Sequence, residues 1–181
     1  MNRTIETERL ILRPIETGDW QAIHRFTSLP EVVRYLHDEP FTEDDSRAFA
    51  ARWADQARQN SDWPEVLAVL LRADGRLIGY VPFERYNPQY RTREIGWVFH
   101  PEAHGQGYAT EAARAVLGLA FETLGVHRVI ATCDPRNTAS YRVMEKLGMR
   151  REGRHVKAVK IHGESCDEYF YAILAEEWAR P

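Results

Sequence analysis

The segment Phe99-His100-Pro101-Glu102-Ala103-His104-Gly105-Gln106-Gly107-Tyr108-Ala109-Thr110-Glu111-Ala112 constrains this chain more than any other. A strand-like run stops at Pro101, two glycines follow in a short loop, and a sequence rich in Ala, Glu, Arg and Leu then begins. A strand–loop–helix of this kind leaves several backbone N–H groups without partners at a helix N-terminus, where the macrodipole also favours anions. Gly105 and Gly107 remove side chains that would hold a phosphate at a distance. The segment therefore predicts a phosphate or pyrophosphate site, against the simpler alternative of a tight loop with an ordinary helix cap. It is not a Walker A loop, because no Gly-Lys-Ser/Thr follows. It also fails the dinucleotide fingerprint, since Thr110 stands where glycine or alanine is needed.

The rest of the chain supplies the frame. Residues 10–15 read as a short strand halted by Pro14. Asp19 is placed to cap a helix running to about Leu29, with Trp20, Ile23 and Phe26 on its apolar face. A second helix is predicted from Thr42-Glu43 to Gln59. Residues 66–71 and 77–83 flank Asp74-Gly75, a dipeptide favoured in hairpin turns. Residues 94–99 form another strand. The helix from about Gly107 to Leu124 carries Ala109, Ala113, Val116, Ala120 and Leu124 as a stripe and ends at Gly125. A strand at 128–133, a turn at 134–137, a helix from Thr138 to Leu147 and strands near 153–161 and 167–174 complete the pattern. Several strands, then strand–helix–strand, then a terminal hairpin imply an α+β fold with a mixed sheet and helices on its faces.

Composition narrows the class. The chain has 181 residues, enough for one domain with a substantial core, so a single domain over 1–181 is expected. A net charge of −3 offers no basic stripe for nucleic acid. There is no apolar run of membrane-spanning length and no secretory h-region, so neither a membrane nor an export route is expected. Cys133 and Cys166 form no CxxC pair, which favours reduced thiols and a cytoplasmic location. His100 and His104 are four apart, but Pro101 argues against a helix there, so no metal site is expected.

Two segments together resemble the GNAT acetyltransferase superfamily. Gly96-Trp97-Val98-Phe99 through Gly107-Tyr108-Ala109-Thr110-Glu111-Ala112 is similar to its acetyl-CoA-binding motif. The family's Arg/Gln-x-x-Gly-x-Gly/Ala falls on His104, Gly107 and Ala109, with His104 departing from the usual first residue. Asp134-Pro135-Arg136-Asn137-Thr138-Ala139-Ser140 with Glu145-Lys146-Leu147-Gly148-Met149 looks like its second motif. Glu8 to Pro14 and Tyr171 to Leu174 extend the likeness over nearly the whole chain, most closely to the branch with ribosomal-protein N-terminal acetyltransferases. The resemblance implies the GNAT fold, a mostly antiparallel mixed sheet of about seven strands with helices on both faces. It implies an acetyl-CoA-dependent N-acetyltransferase acting on a primary amine, with a non-catalytic acyl-CoA-binding module as the alternative.

The same resemblance implies roles. Cofactor-binding positions are Trp97, Val98, Phe99, His104, Gly105, Gln106, Gly107, Tyr108, Ala109, Thr110, Asn137, Ser140 and Tyr141. The strand 95–99 would splay from the strand 128–133 and bond the pantetheine arm like a missing strand. An N–H near Val98 would polarise the thioester carbonyl. Many members carry a tyrosine seven residues after the asparagine as proton donor, but Met144 stands there and has no proton to give. Ser140 becomes the expected donor to the departing thiolate, unless it only serves the first turn of its helix. Tyr141 is a weaker candidate. The amine must lose a proton, and Glu94 is the first choice for base, Glu84 the second, with ordered water as the third route. Glu111 is expected to be structural.

Trp20, Tyr35, His37, Phe41, Trp63, Tyr86 and Tyr90, with Glu84 and Glu164, fall in the segments expected to flank the acceptor channel. Aromatic rings and carboxylates suit a cationic amine such as a peptide N-terminus, a polyamine or an aminoglycoside. The residues leave that choice open, and a monomer and a homodimer are equally compatible with them.

Overall fold

The computed structural model describes residues 3–59 and 63–178, and its strands join into one mixed sheet. In chain order the elements are β1 (Ile5–Glu6), β2 (Leu10–Pro14), α1 (Trp20–Thr27), α2 (Pro30–Val33), α3 (Glu43–Gln59), β3 (Val66–Leu71), β4 (Leu77–Asn87), β5 (Thr92–Ile95), β6 (Val98–Phe99), α4 (Tyr108–Glu122), β7 (Arg128–Cys133), α5 (Thr138–Lys146), β8 (Arg150–Ile161), β9 (Glu164–Leu174) and α6 (Ala175–Trp178). The sheet order is β1-β2-β3-β4-β5-β7-β9-β8, with β6 also paired to β4. All pairs are antiparallel except β5 with β7. Among the described residues no helix is long and apolar enough to cross a membrane.

Side-chain alternation sorts the core into two layers. In β3, Leu67 and Val69 turn to one face, where Val116, Leu117 and Ala120 of α4 and Met144 of α5 complete a fully buried cluster. Val66 and Ala68 turn to the other face and meet Ile23 and Phe26 of α1 and Ala50 and Trp53 of α3. A strand covered on both faces reads as an unbroken apolar run, which is why Val-Leu-Ala-Val-Leu-Leu shows no period of two. Burying one such leucine contributes about 2 kcal/mol.

Two expectations need correction. The strand expected at 94–99 is two pieces, β5 and β6, interrupted at Gly96-Trp97. This break and the two-residue β1 raise the expected seven strands to nine among the described residues. Asp19 does begin α1, but its carboxylate does not cap it. A 3-10 turn precedes α1, and the Asp19 carboxylate turns back to accept from the Glu16 N–H (2.8 Å) and from both Arg13 guanidinium nitrogens (2.7 Å each).

Candidate active site

The β5–β6 break opens an edge in the middle of the sheet. β5 pairs with β7 only from Thr92 to Glu94, opposite Arg128 to Ile130. Beyond that point Ala131, Thr132 and Cys133 pair with β9 alone, and β6 follows β4 away from them. Gly96 N–H donates to the Pro82 carbonyl (3.0 Å) and His100 N–H to the Ile78 carbonyl (2.8 Å), on either side of the Tyr80–Val98 pair. By strand alternation the Val98 amide therefore turns toward β4, and the amides of Trp97 and Phe99 turn to the open edge. Gly79 permits this close pairing, since a Cβ there would lie 2.5 Å from the Val98 carbonyl oxygen.

At the end of β6 lies the glycine loop. Gly105 (φ 73°) and Gly107 (φ 82°) adopt the left-handed conformation that other residues rarely take. The backbone N–H groups of residues 105–110 make no side-chain or loop hydrogen bond to a described residue, and they lie at and just before the start of α4. That is the donor set a pyrophosphate needs, and the residues present fit it. His104 Nε2 lies 3.0 Å from the Phe99 carbonyl and must carry its proton there, while His100 Nδ1 accepts from the Glu102 N–H (3.2 Å). Both rings thus brace the loop. Gln106 donates to the Glu102 carbonyl, and its own carbonyl accepts from Arg9 (3.0 Å). Arg9 also stacks 4.6 Å from the Tyr108 ring centroid.

Glu111, in the first turn of α4, accepts from the Thr7 hydroxyl (2.6 Å), the Arg9 N–H (3.0 Å) and the Arg9 guanidinium (2.6 Å). Burial pulls its pKa up, but these bonds outweigh burial and leave it lowered. Its carboxylate is fully engaged in tying the loop to the β1–β2 turn.

On the far side of the open edge, α5 begins. Asn137 Oδ1 caps it by accepting from the Ser140 N–H (3.1 Å), leaving only the amide NH2 for another partner. The Ser140 hydroxyl sits beside the Cys133 thiol, which burial pushes up to about 12 while Ser140 opposes the shift. Tyr141 packs edge-on against Tyr169 (5.9 Å between centroids). Met144 is buried in the core.

The two glutamates considered for the base are direct cross-strand partners, Glu84 on β4 opposite Glu94 on β5. Glu94 is the less exposed and accepts from the Thr132 hydroxyl (3.2 Å). Its pKa is raised, first by burial and further by Glu168 and Glu84, with Thr132 and His37 opposing. Glu84 is raised as well, by partial burial and by Glu65. Like charges placed opposite each other on a sheet make one proton welcome.

Two distant segments meet above this pair. His162, at the β8–β9 turn, faces the Glu39 carboxylate with Nδ1 (3.0 Å) and the Val33 carbonyl with Nε2 (3.2 Å). Both partners only accept, so both bonds require an imidazolium, and the His162 pKa is raised first by Glu39 and then by Val33. His37 Nδ1 lies 3.1 Å from the Lys160 carbonyl in the same closure.

Of the aromatic residues expected near an acceptor, His37 and Phe41 line this region, Tyr35 lies 5.9 Å beneath Arg136, and Trp20 lies under Arg47. Glu164 pairs with Arg136 (3.5 Å). Trp63 is core, and Tyr86 and Tyr90 are exposed on the β4–β5 hairpin. Sequence reasoning passed over Thr132 and His162. Thr132 looked like any strand residue, and His162 sits in a loop whose neighbours only the fold reveals.

Comparison with known proteins agrees with this geometry. The acetyltransferase (GNAT) domain family matches residues 9–150. An uncharacterized N-acetyltransferase of Bacillus subtilis, YnaD, is 45% identical over 174 residues, covering 96% of this chain and 98% of its own. The chain belongs to the GNAT acetyltransferase family. The crystal structure of a GNAT-family acetyltransferase from Bacillus anthracis superposes with a TM-score of 0.87 at 44% identity, over 96% of this chain and 99% of that one. The spermidine N(1)-acetyltransferase of Escherichia coli K12 is 26% identical over 155 residues, covering 84% of this chain and 79% of its own. The protein is accordingly an acetyltransferase, and its donor is acetyl-CoA, as in the family.

Proposed function

We propose that this acetyltransferase moves the acetyl group directly to a primary amine of a small cationic acceptor, with the whole chain acting as one catalytic domain in the cytoplasm. The observation that carries the reading is the open sheet edge at β6. It has unpaired loop amides at one end and the Glu84–Glu94 pair beside it. The name of the Escherichia coli relative supports a polyamine-like acceptor. The free thiols of Cys133 and Cys166 suit a reducing compartment.

Acetyl-CoA supplies a thioester carbonyl and a thiolate leaving group. The amides of residues 105–110 hold the pyrophosphate, with Tyr108, Ala109 and Thr110 contributing the start of the helix. The strand edge at Trp97 and Phe99, one on each side of Val98, pairs with the pantetheine arm and directs an N–H at the carbonyl oxygen. The Asn137 amide bonds the same arm. Glu94, with its raised pKa, takes the proton of the incoming amine, and Glu84 receives it onward. Ser140 donates a hydrogen bond to the thiolate as it leaves, a task Met144 cannot perform. Tyr141 packs beside it as part of the wall.

The test is thiol release from acetyl-CoA by the purified protein against polyamines, aminoglycosides, amino acids and peptides beginning with Ala, Ser or Met. Turnover confined to cationic small amines is the expected result. Peptide-only turnover would replace the acceptor class, and cofactor binding without turnover of any amine would favour a non-catalytic acyl-CoA module.

A further inference from the structure

Thr132 stands on β7 where the sheet opens. It lies two residues past Ile130, the last residue of β7 paired with β5, so among the described residues only Phe170 of β9 pairs with it. Register fixes which way its side chain turns. Glu94 is the partner of Ile130, and side chains two apart on a strand share a face, so Glu94, Ile130 and Thr132 stand on one side of the sheet. Val129 and Ala131 turn to the other side, into the core beneath α4. Arg93, next to Glu94 on β5 and opposite Val129, turns there too and lies 4.9 Å from the Phe83 ring centroid.

The Thr132 hydroxyl donates to Glu94 Oε1 at 3.2 Å and makes no other hydrogen bond among the described residues. Glu94 Oε2 accepts from no described residue. The charged and titratable groups around Glu94 come from several elements: Glu84 on β4, Glu168 on β9, His37 on the loop after α2, and His155 of β8, which lies 3.6 Å from Glu168. None of these is hydrogen-bonded to Glu94 among the described residues, so Thr132 alone holds its carboxyl group in place. Burial, Glu168 and Glu84 favour the protonated form, and the Thr132 bond is the strongest influence against it, ahead of His37. The strand itself does not call for a hydroxyl, since valine has the same branched shape and suits a sheet as well.

We propose that Thr132 is a positioning residue for acetyl transfer: it fixes Glu94 Oε1 and so assigns proton removal to Oε2. This rests on the reading of Glu94 as the base. The terminal torsion of a glutamate is soft, so without a partner either oxygen would present itself in many orientations. One bond to Oε1 removes that freedom and leaves a single oxygen to meet the amine. The incoming ammonium gives one N–H proton to Oε2, the electron pair of that bond stays on nitrogen, and the neutral amine attacks the thioester carbon. Oε1 accepts from Thr132 before and after the transfer, so the group is held throughout. The bond is stronger to the ionised carboxylate, which keeps the base form available at lower pH than burial alone would allow.

The test compares the wild type with Thr132→Val, Thr132→Ser, Glu94→Gln and the double variant Thr132→Val/Glu94→Gln. Rates are read with saturating spermidine and acetyl-CoA across pH, and the Glu94 carboxyl is titrated by NMR in the protein without amine. In Thr132→Val the acidic limb of the kcat profile should move up by about half a pH unit, because the charged form has lost its donor. The plateau kcat should fall about tenfold while both KM values hold, the signature of lost orientation. Thr132→Ser keeps the hydroxyl and should return both towards the wild type. In the Glu94→Gln background Thr132→Val should cost nothing more, because it acts through the carboxylate. The NMR titration should move in the same direction as the limb. Thermal melting confirms that each variant is folded, and Thr132→Ser supplies the reading if Thr132→Val is not. A loss that recurs undiminished in the Glu94→Gln background, a serine variant as slow as the valine one, or an unmoved Glu94 titration would each overturn the positioning role. A Thr132-dependent titration without spermidine turnover supports the hold on Glu94 and ends the polyamine reading. Turnover that needs Glu94 but ignores Thr132 does the reverse.

Discussion

The two faces of the sheet build their halves of the site from different materials. On the proposed cofactor side, α4 is anchored in the main core and presents backbone amides, and the side chains around it (Glu111, Arg9, His104) serve to hold the loop in shape. On the proposed acceptor side, side chains are brought in by a loop at 34–42, a strand and a distant hairpin turn. A backbone-made site tolerates changes of side chain, because the amides that hold the ligand do not depend on residue type. A side-chain-made site changes its ligand with one substitution, so a family can keep one donor while its acceptors diverge.

The comparison can be broken most decisively at Glu94. Replacing Glu94 with Gln should lower kcat about a thousandfold while acetyl-CoA affinity holds, because the loss falls on proton removal alone. Since the folded pKa of Glu94 is raised, the base form fills only as pH climbs through that raised value. The acidic limb of the wild-type rate profile should therefore lie above the ordinary glutamate range and vanish in the variant. A variant with an unchanged limb would remove Glu94 from the role.

Next in size is a stability difference between the faces. Leu117→Ala, fully buried on α4, should cost about 3 kcal/mol and lower Tm by several degrees. His162→Gln at the rim should leave Tm almost unchanged. Equal losses would mean the acceptor closure carries as much of the fold as the core does.

Gly107→Ala should weaken acetyl-CoA binding about tenfold, because its φ of 82° strains any Cβ and the loop amides would shift. KM for the amine should stay near wild type. A matching rise in amine KM would show that the two halves are mechanically joined.

The smallest effect expected is at His162. Its raised folded pKa means that the bonds to Glu39 and Val33 are fully present below the unfolded value and are lost as pH rises through the folded one. Amine KM should rise a few-fold across that window in the wild type and remain flat in His162→Gln. A wild-type KM that ignores pH would sever the closure from acceptor binding.

How much of this was legible in the sequence differs between the halves in the same way. The Asp74-Gly75 hairpin, the helix from about Gly107 and the short helix after Asn137 were all readable, because turn residues, caps and apolar spacing act within a few residues. Glu84 and Glu94 were both named, yet nothing local says that they face each other. That depends on the register of β4 against β5. The break at Gly96-Trp97 was missed for a similar reason, since Glu-Ile-Gly-Trp-Val-Phe reads as one strand until two different partners pull its halves apart.

By itself the sequence determined the glycine loop ahead of α4, the order of elements and the absence of a tyrosine at Met144, because backbone conformation follows from residue types in local succession. Only the tertiary structure decided that the open edge lies beside two carboxylates and that His162 reaches Glu39 across 123 residues of chain. Those relations arise from strand register and packing, which no local pattern encodes.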